Sequence, residues 1–157
     1  MPEFIMTGKE SPTYQSLDAF TRAYIEAAFW TEEEQLTESM GEEMPGIIIQ
    51  AATLESRYDR ESAPSFDMLA ESALEQIKQD CAHFQTAYSL LLHDLYFSHD
   101  FDPSQAGHDF WLTRNGHGAG FWDRGLGLLG DKLTEAAQAF GETSLYIGDD
   151  GLIYYGF

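Results

Sequence analysis

Apolar residues recur at steps of three and four along two stretches of the chain. Leu17, Phe20, Tyr24 and Ala27/Ala28 line one face of a predicted helix, with Ser16 as its cap and Asp18 in its first turn. Ala70, Ala73, Ile77, Cys81, Phe84, Tyr88, Leu91/Leu92 and Leu95 form a longer stripe. It predicts an amphipathic helix over 66–97, of about eight turns, capped by Ser65 or Asp67. Between them, Thr31 to Glu34 has capping-box form and predicts a second short helix, bounded by Gly41 and Pro45. Ile47 to Ile49 reads as a short strand or the start of a buried helix. Pro64 marks a break after the mixed charges of 53–65.

Beyond residue 100 the pattern changes. Pro103 and Gly107 interrupt the helical spacing. Asn115-Gly116, between Phe110 to Leu112 and Phe121-Trp122, predicts a β-hairpin. Gly125 to Gly130 is a glycine-rich connector, and 131–140 reads as a helix ended by Gly141. Leu145 to Ile147 and Leu152 to Tyr155 flank Asp149-Asp150-Gly151, a second hairpin with Asp-Gly turn chemistry. The expected C-terminal order is therefore β-β-α-β-β, one antiparallel sheet on the long helix, in an α+β domain. The expected organisation is a loose segment over 1–15 and a single domain over 16–157. Within that domain, 16–65 is the acidic helical part and 66–157 the long helix plus sheet. Met1 to Ile5 read as a cloning remnant ahead of a native start at Met6.

Composition narrows the function. The chain has 157 residues, enough for one core, and a net charge of −19. That field repels nucleic acid and anionic membranes and attracts basic partners. No apolar run is long enough to span a bilayer, and no secretory leader is visible. The one cysteine, Cys81, excludes an internal disulfide and fits a reducing compartment. On the apolar stripe it reads as an inert buried thiol. The most acidic stretch is 31–43, with Glu32, Glu33, Glu34, Glu38, Glu42 and Glu43 and no basic residue. These six glutamates are the candidate partner-binding surface.

Candidate chemistry concentrates in 107–124, which holds two of the three tryptophans. His108, Asp109, Arg114, His117 and Asp123 are its candidate catalytic or ligand-binding residues, because acid, base and guanidinium occur together there. No nucleophile–base pair is identifiable among them. His99, Asp100, His108 and Asp109 are the candidate metal ligands, as neighbouring imidazole and carboxylate groups. The histidines such a metal hydrolase would add upstream are missing, apart from His83. Gly116 to Gly120 lacks the lysine and the strand–loop–helix context of a phosphate loop. No cofactor motif is present.

The stretch Asp109-Phe-Trp-Leu-Thr-Arg-Asn-Gly-His-Gly-Ala-Gly-Phe-Trp-Asp-Arg124 resembles a signature of small proteins of bacteriophages and other mobile elements. The likeness extends over Asp80 to Phe84, Ala106 to His108, Leu133 to Ala137 and Leu145 to Gly151. It covers the C-terminal half to two-thirds of the chain and marks an uncharacterised family. It implies phage or mobile-element origin and action in the host cytoplasm, and supplies no reaction. With the charge, it leads to an expected function: an accessory protein that binds a basic host or defence protein, as a DNA mimic of anti-restriction or anti-CRISPR type. Direct binding to nucleic acid or membrane is not expected. The alternatives are a small metal- or ligand-binding enzyme using 108–124, and a phage structural or assembly component whose long helix self-associates.

Overall fold

The computed structural model describes the backbone of residues 6–42 and 65–156, and the side chains of all these but 37–42. Glu43, Ile47 to Ile49 and the 53–64 segment lie outside the described residues, as do the side chains of Glu38 and Glu42. The described residues form six α-helices and one antiparallel strand pair, an α+β arrangement dominated by helix. The helices are α1 (Pro12–Gln15), α2 (Ala19–Glu42), α3 (Glu71–Ala87), α4 (Ser89–Ser98), α5 (Pro103–Arg114) and α6 (Leu128–Gln138). The strands are β1 (Leu145–Ile147) and β2 (Ile153–Tyr155).

Helix α2 is the axis of the fold. Phe20, Ala23, Tyr24, Ile25, Ala27, Ala28 and Phe29 are all buried, so α2 is apolar around most of its circumference over these turns. It does not stop at Thr31. The Thr31 hydroxyl donates to the Ala27 carbonyl at 2.9 Å and accepts from the Trp111 indole N–H at 2.7 Å. Thr31 is thus an interior residue of one continuous helix, and the expected second helix is its extension. Its main partner is α5, and the two approach closely at Gly107. A Cβ on that residue would fall well inside contact distance of the Phe20 carbonyl.

The expected helix over 66–97 is three pieces. Ser65 caps a 3-10 turn over Phe66–Met68, accepting the Asp67 N–H at 3.2 Å. Then α3 and α4 follow, parted at Tyr88, whose φ of −116° and ψ of 30° leave the helical region. No glycine or proline marks that break. It re-aims the second half so that Leu92 and Leu95 still reach the core reached by Ile77, Cys81 and Phe84. The core is aromatic: Phe84 stacks on Phe110 at 4.1 Å, and Tyr24 meets the Trp111 ring edge-on at 5.4 Å. Cys81 is fully buried, and burial pushes its thiol well above the usual range, which suits an inert filler.

At the N-terminus, the stretch expected to be loose holds α1 and buries Met6 and Tyr14. At the C-terminus the second hairpin forms, with Leu145 opposite Tyr155 and Ile147 opposite Ile153. Gly151 takes the left-handed φ of 81° its turn requires. The hairpin joins the helices through a bridge between Leu69 and Ile153. The expected first hairpin is absent. Residues 103–114 are helix α5, so among the described residues the sheet has two strands rather than four.

Candidate functional site

The signature stretch is a helix, its C-terminal cap and a following 3-10 turn. Asp102 opens α5 with a full capping box: it accepts the Gln105 N–H at 2.8 Å, and Gln105 accepts the Asp102 N–H at 3.1 Å. Pro103 occupies the first helical position, where its missing N–H costs nothing. Asn115-Gly116 closes the helix. Gly116 has φ of 68°, its N–H reaches the Thr113 carbonyl, and the His117 N–H reaches the Leu112 carbonyl at 3.0 Å. This is a Schellman cap, which needs the same left-handed glycine as a hairpin turn. The chain then folds back, and the Phe121 N–H donates to the Thr113 hydroxyl at 3.1 Å. Asp123 accepts the Gly120 N–H at 3.1 Å and so caps the 3-10 turn Phe121–Asp123.

Arg114 ends α5 and is 5% exposed. Its Nη1 donates to Asp80 at 3.0 Å, to Tyr24 at 3.0 Å and to Tyr155 at 2.9 Å. Its Nε and Nη2 donate to the carbonyls of Gly141 and Phe140 at 2.8 and 3.0 Å. The guanidinium thus closes the C-terminal end of α6, where the helix dipole favours a cation. Phe110 and Phe140 flank it at 5.7 and 5.5 Å. The Tyr155 hydroxyl donates to the same Asp80 oxygen at 2.5 Å. Burial pushes both phenols, Tyr24 and Tyr155, far above their usual range, so they remain neutral donors. Arg114 ties α2, α3, α5, the end of α6 and β2 together, with all three of its nitrogens engaged. This buried guanidinium is part of the frame that holds the helices together.

Asp109 faces the other way. Its side chain is 2% exposed and takes a bidentate pair from Arg124, Nε to Oδ2 at 3.0 Å and Nη2 to Oδ1 at 2.8 Å. His108 Nδ1 lies 3.7 Å from the same carboxylate, and its ring stacks on Trp30 at 5.9 Å. Burial alone would raise the Asp109 carboxyl, but His108 and Arg124 outweigh it and hold the carboxyl below its usual range. A depressed folded pKa stabilises the fold above the ordinary value of 3.8, and the gain is lost as pH falls through the folded pKa. Asp109→Asn is therefore expected to cost about 2 kcal/mol at pH 7 and to flatten the acid limb of the stability curve below about pH 4. Urea titrations between pH 2 and 7 check both.

The structure therefore divides the candidate residues. His108 and Asp109 lie on one side of α5, beside a cleft of about 450 Å³ that Arg124 also lines. Arg114 is in the core. His117 follows the cap, half-buried, and burial draws its imidazole below the usual range. Asp123 serves the 3-10 turn. The two tryptophans divide as well: Trp111 is fully buried and Trp122 is 52% exposed. His99 and Asp100 are exposed at the end of α4, on a different element from His108 and Asp109. No metal-ligand set of three or more side chains forms among the described residues. On α2, Glu32 is half-buried; burial raises its carboxyl, against a bond from the Leu145 N–H. Glu32 therefore helps anchor β1.

Sequence reasoning missed Asp80, Tyr24 and Tyr155 as partners of Arg114. Only a polar residue beside the Cys81 stripe and a hydroxyl within the α2 stripe hinted at them. It also missed Glu26, Phe101 and Ser104, which line the cleft with no motif of their own, and Gln105, whose capping box was the available signal. Comparison with protein-family models, with curated proteins and with solved structures finds no match to this chain.

Proposed function

We propose that the protein is an acidic binding protein that occupies the nucleic-acid groove of a basic host or defence protein, as a DNA mimic. One observation supports the reading: among the described residues, half the cations gather on one face and a fourth is buried. Of the six described basic residues, Arg114 is buried, while Lys9, Arg22 and Arg124 gather around one face of α2 and α5. Lys78 and Lys132 remain elsewhere, and Lys78 stands 3.9 Å from Glu75. Elsewhere on the described surface carboxylates outnumber these two lysines. Exposed examples are Asp67, Glu71 and Glu75 around the start of α3, and Asp94, Asp100 and Asp102 along and after α4. Carboxylates one helical turn apart, such as Glu71 and Glu75, repeat about every 6 Å along the axis. Such an array replaces phosphates in a basic groove and releases their counterions. Leu90 and Phe97, 85% and 78% exposed on α4, add apolar anchors beside Asp94. The resemblance of 109–124 to phage proteins supports the host cytoplasm as the place of action. No described helix is long and apolar enough to cross a membrane.

The test is capture on immobilised protein from a bacterial extract at low salt. The expected result is a basic nucleic-acid-binding protein whose retention falls steeply with added salt. No retained basic protein, or retention indifferent to salt, contradicts the reading.

A further inference from the structure

The hairpin β1–β2 buries Leu145 and Ile153 and turns Tyr146 and Tyr154 outward. The two tyrosines are direct partners across the strands, and their rings stack at 5.8 Å. Cross-strand aromatic pairs stabilise hairpins. This pair also bounds a hollow of about 320 Å³, together with Gly148, Asp149 and Asp150 of the turn. The Tyr154 ring is held from two sides. Its hydroxyl donates to Asp150 Oδ2 at 2.6 Å, and its edge lies against Gly148, where a Cβ would fall inside contact distance of the ring. Gly148 does not have a left-handed φ, so a side chain there would disturb the ring and not the backbone.

The walls of the hollow are aromatic and anionic. Tyr154 and the Leu152 N–H, the latter at 3.0 Å, hold the Asp150 carboxyl below its usual range, so it is ionised at neutral pH. Asp149 is exposed and has no partner among the described residues. No described basic residue lines the hollow, and no lysine, arginine or histidine follows Lys132 in the sequence. Arg114 reaches β2 from the inner face only, through Tyr155. Two carboxylates with no described cation beside them select a positive ligand. Two exposed aromatic rings favour a flat, weakly hydrated cation over a compact, strongly hydrated one. Guanidinium has both properties: it stacks on a ring and donates to a carboxylate in its own plane.

We infer that the hollow beside Tyr146 and Tyr154 is a docking site for an arginine side chain of a partner protein, its guanidinium stacked on the tyrosines and donating to Asp149. The hollow lies open at the tip of a hairpin, which suits one side chain presented by another surface rather than an enclosed metabolite. The site uses none of the carboxylates of α3 and α4 named above, so it holds or fails apart from the DNA-mimic reading.

The experiment titrates the full chain with Nα-acetylarginine methylamide and follows the Tyr146 ring protons by NMR, identified by their loss in Tyr146→Leu. The expected result is a saturable shift. The citrulline analogue, of the same shape without the charge, leaves the ring protons unmoved, and the lysine analogue binds more weakly. Asp149→Asn, which removes a charge, and Gly148→Ala, which displaces the Tyr154 ring, are each expected to weaken the affinity about threefold. Asp94→Asn, which removes a carboxylate of α4 outside the hollow, leaves it unchanged. If Gly148→Ala does not fold, Asp149→Asn and the wild-type titration stand without it. No saturable shift with the arginine compound overturns the site. So does equal weakening by Asp94→Asn, which would show general charge attraction. Equal affinity for the lysine analogue overturns the choice of guanidinium, and tighter binding of free L-arginine overturns the partner protein as its source.

Discussion

Arg114→Met is expected to destabilise the protein by about 3–5 kcal/mol, because it leaves a largely buried Asp80 carboxylate facing two phenols without its cation. That is a large part of the roughly 5–15 kcal/mol available to a domain. Two further losses add to it: the Phe140 and Gly141 carbonyls at the end of α6 lose their only side-chain donor among the described residues. Lysine does not restore the site. Its ammonium is a point charge that cannot meet Asp80, two hydroxyls and two carbonyls in one plane. The discriminating variant is the double change Arg114→Met with Asp80→Leu. Removing both charges is expected to recover about 1–3 kcal/mol of the single-variant loss. Urea unfolding of the four proteins in this cycle measures the coupling directly. Additive losses would mean that Arg114 acts without its ion pair, through its other hydrogen bonds and its packing on Phe110 and Phe140.

The second large effect is at Gly107. An alanine there places its methyl group into the Phe20 backbone, and backbone cannot rotate away as a side chain can. Helices α2 and α5 must part, and with them the contacts of Phe110 with Phe84 and of Trp111 with Tyr24. Overpacking ordinarily costs about 1–3 kcal/mol, and a backbone clash at the central helix crossing falls at or beyond the upper end. Alanine's better helix propensity returns only about 1 kcal/mol. Gly118→Ala is the control, because nothing lies within 4 Å of its added Cβ. Thermal unfolding by circular dichroism is expected to show a midpoint many degrees lower for Gly107→Ala, and one nearly unchanged for Gly118→Ala.

These two residues show how far the sequence could be read. The stripes on α2 and α3–α4 are legible because three- and four-residue spacing is a direct consequence of helix geometry. The Asp-Gly hairpin at 145–155 is legible because strand-forming residues flank it on both sides. Residues 110–122 are not, because Asn115-Gly116 satisfies two motifs with one conformation. A left-handed glycine closes a type I′ turn and a Schellman cap equally well. The deciding signal lay upstream, in Asp102-Pro103 with Gln105, a helix start that reads as a helix stop when only the proline is weighed. Ala23, Ile25 and Phe29 are buried off the predicted stripe, so the stripe alone does not show that α2 is central. The tertiary partners of Arg114 come from residues 24, 80, 140, 141 and 155, and no local pattern relates such distant positions.

The same separation governs the function. The signature stretch looked like an active site because acid, base and guanidinium are dense in it. In the fold most of that density is architecture: Arg114 fastens five elements, Asp123 caps a turn, and Asp109 clasps Arg124. What remains open is the cleft beside His108. The acidic surface we propose depends on where the described cations are held.

Displacement of DNA tests the central claim most directly. A labelled duplex is bound to the captured partner, the protein is added, and fluorescence anisotropy reports whether the duplex leaves. The account predicts full release, competitive in form, by a protein that does not itself bind the duplex. A ternary complex that keeps the DNA, or anisotropy that does not change, would contradict it.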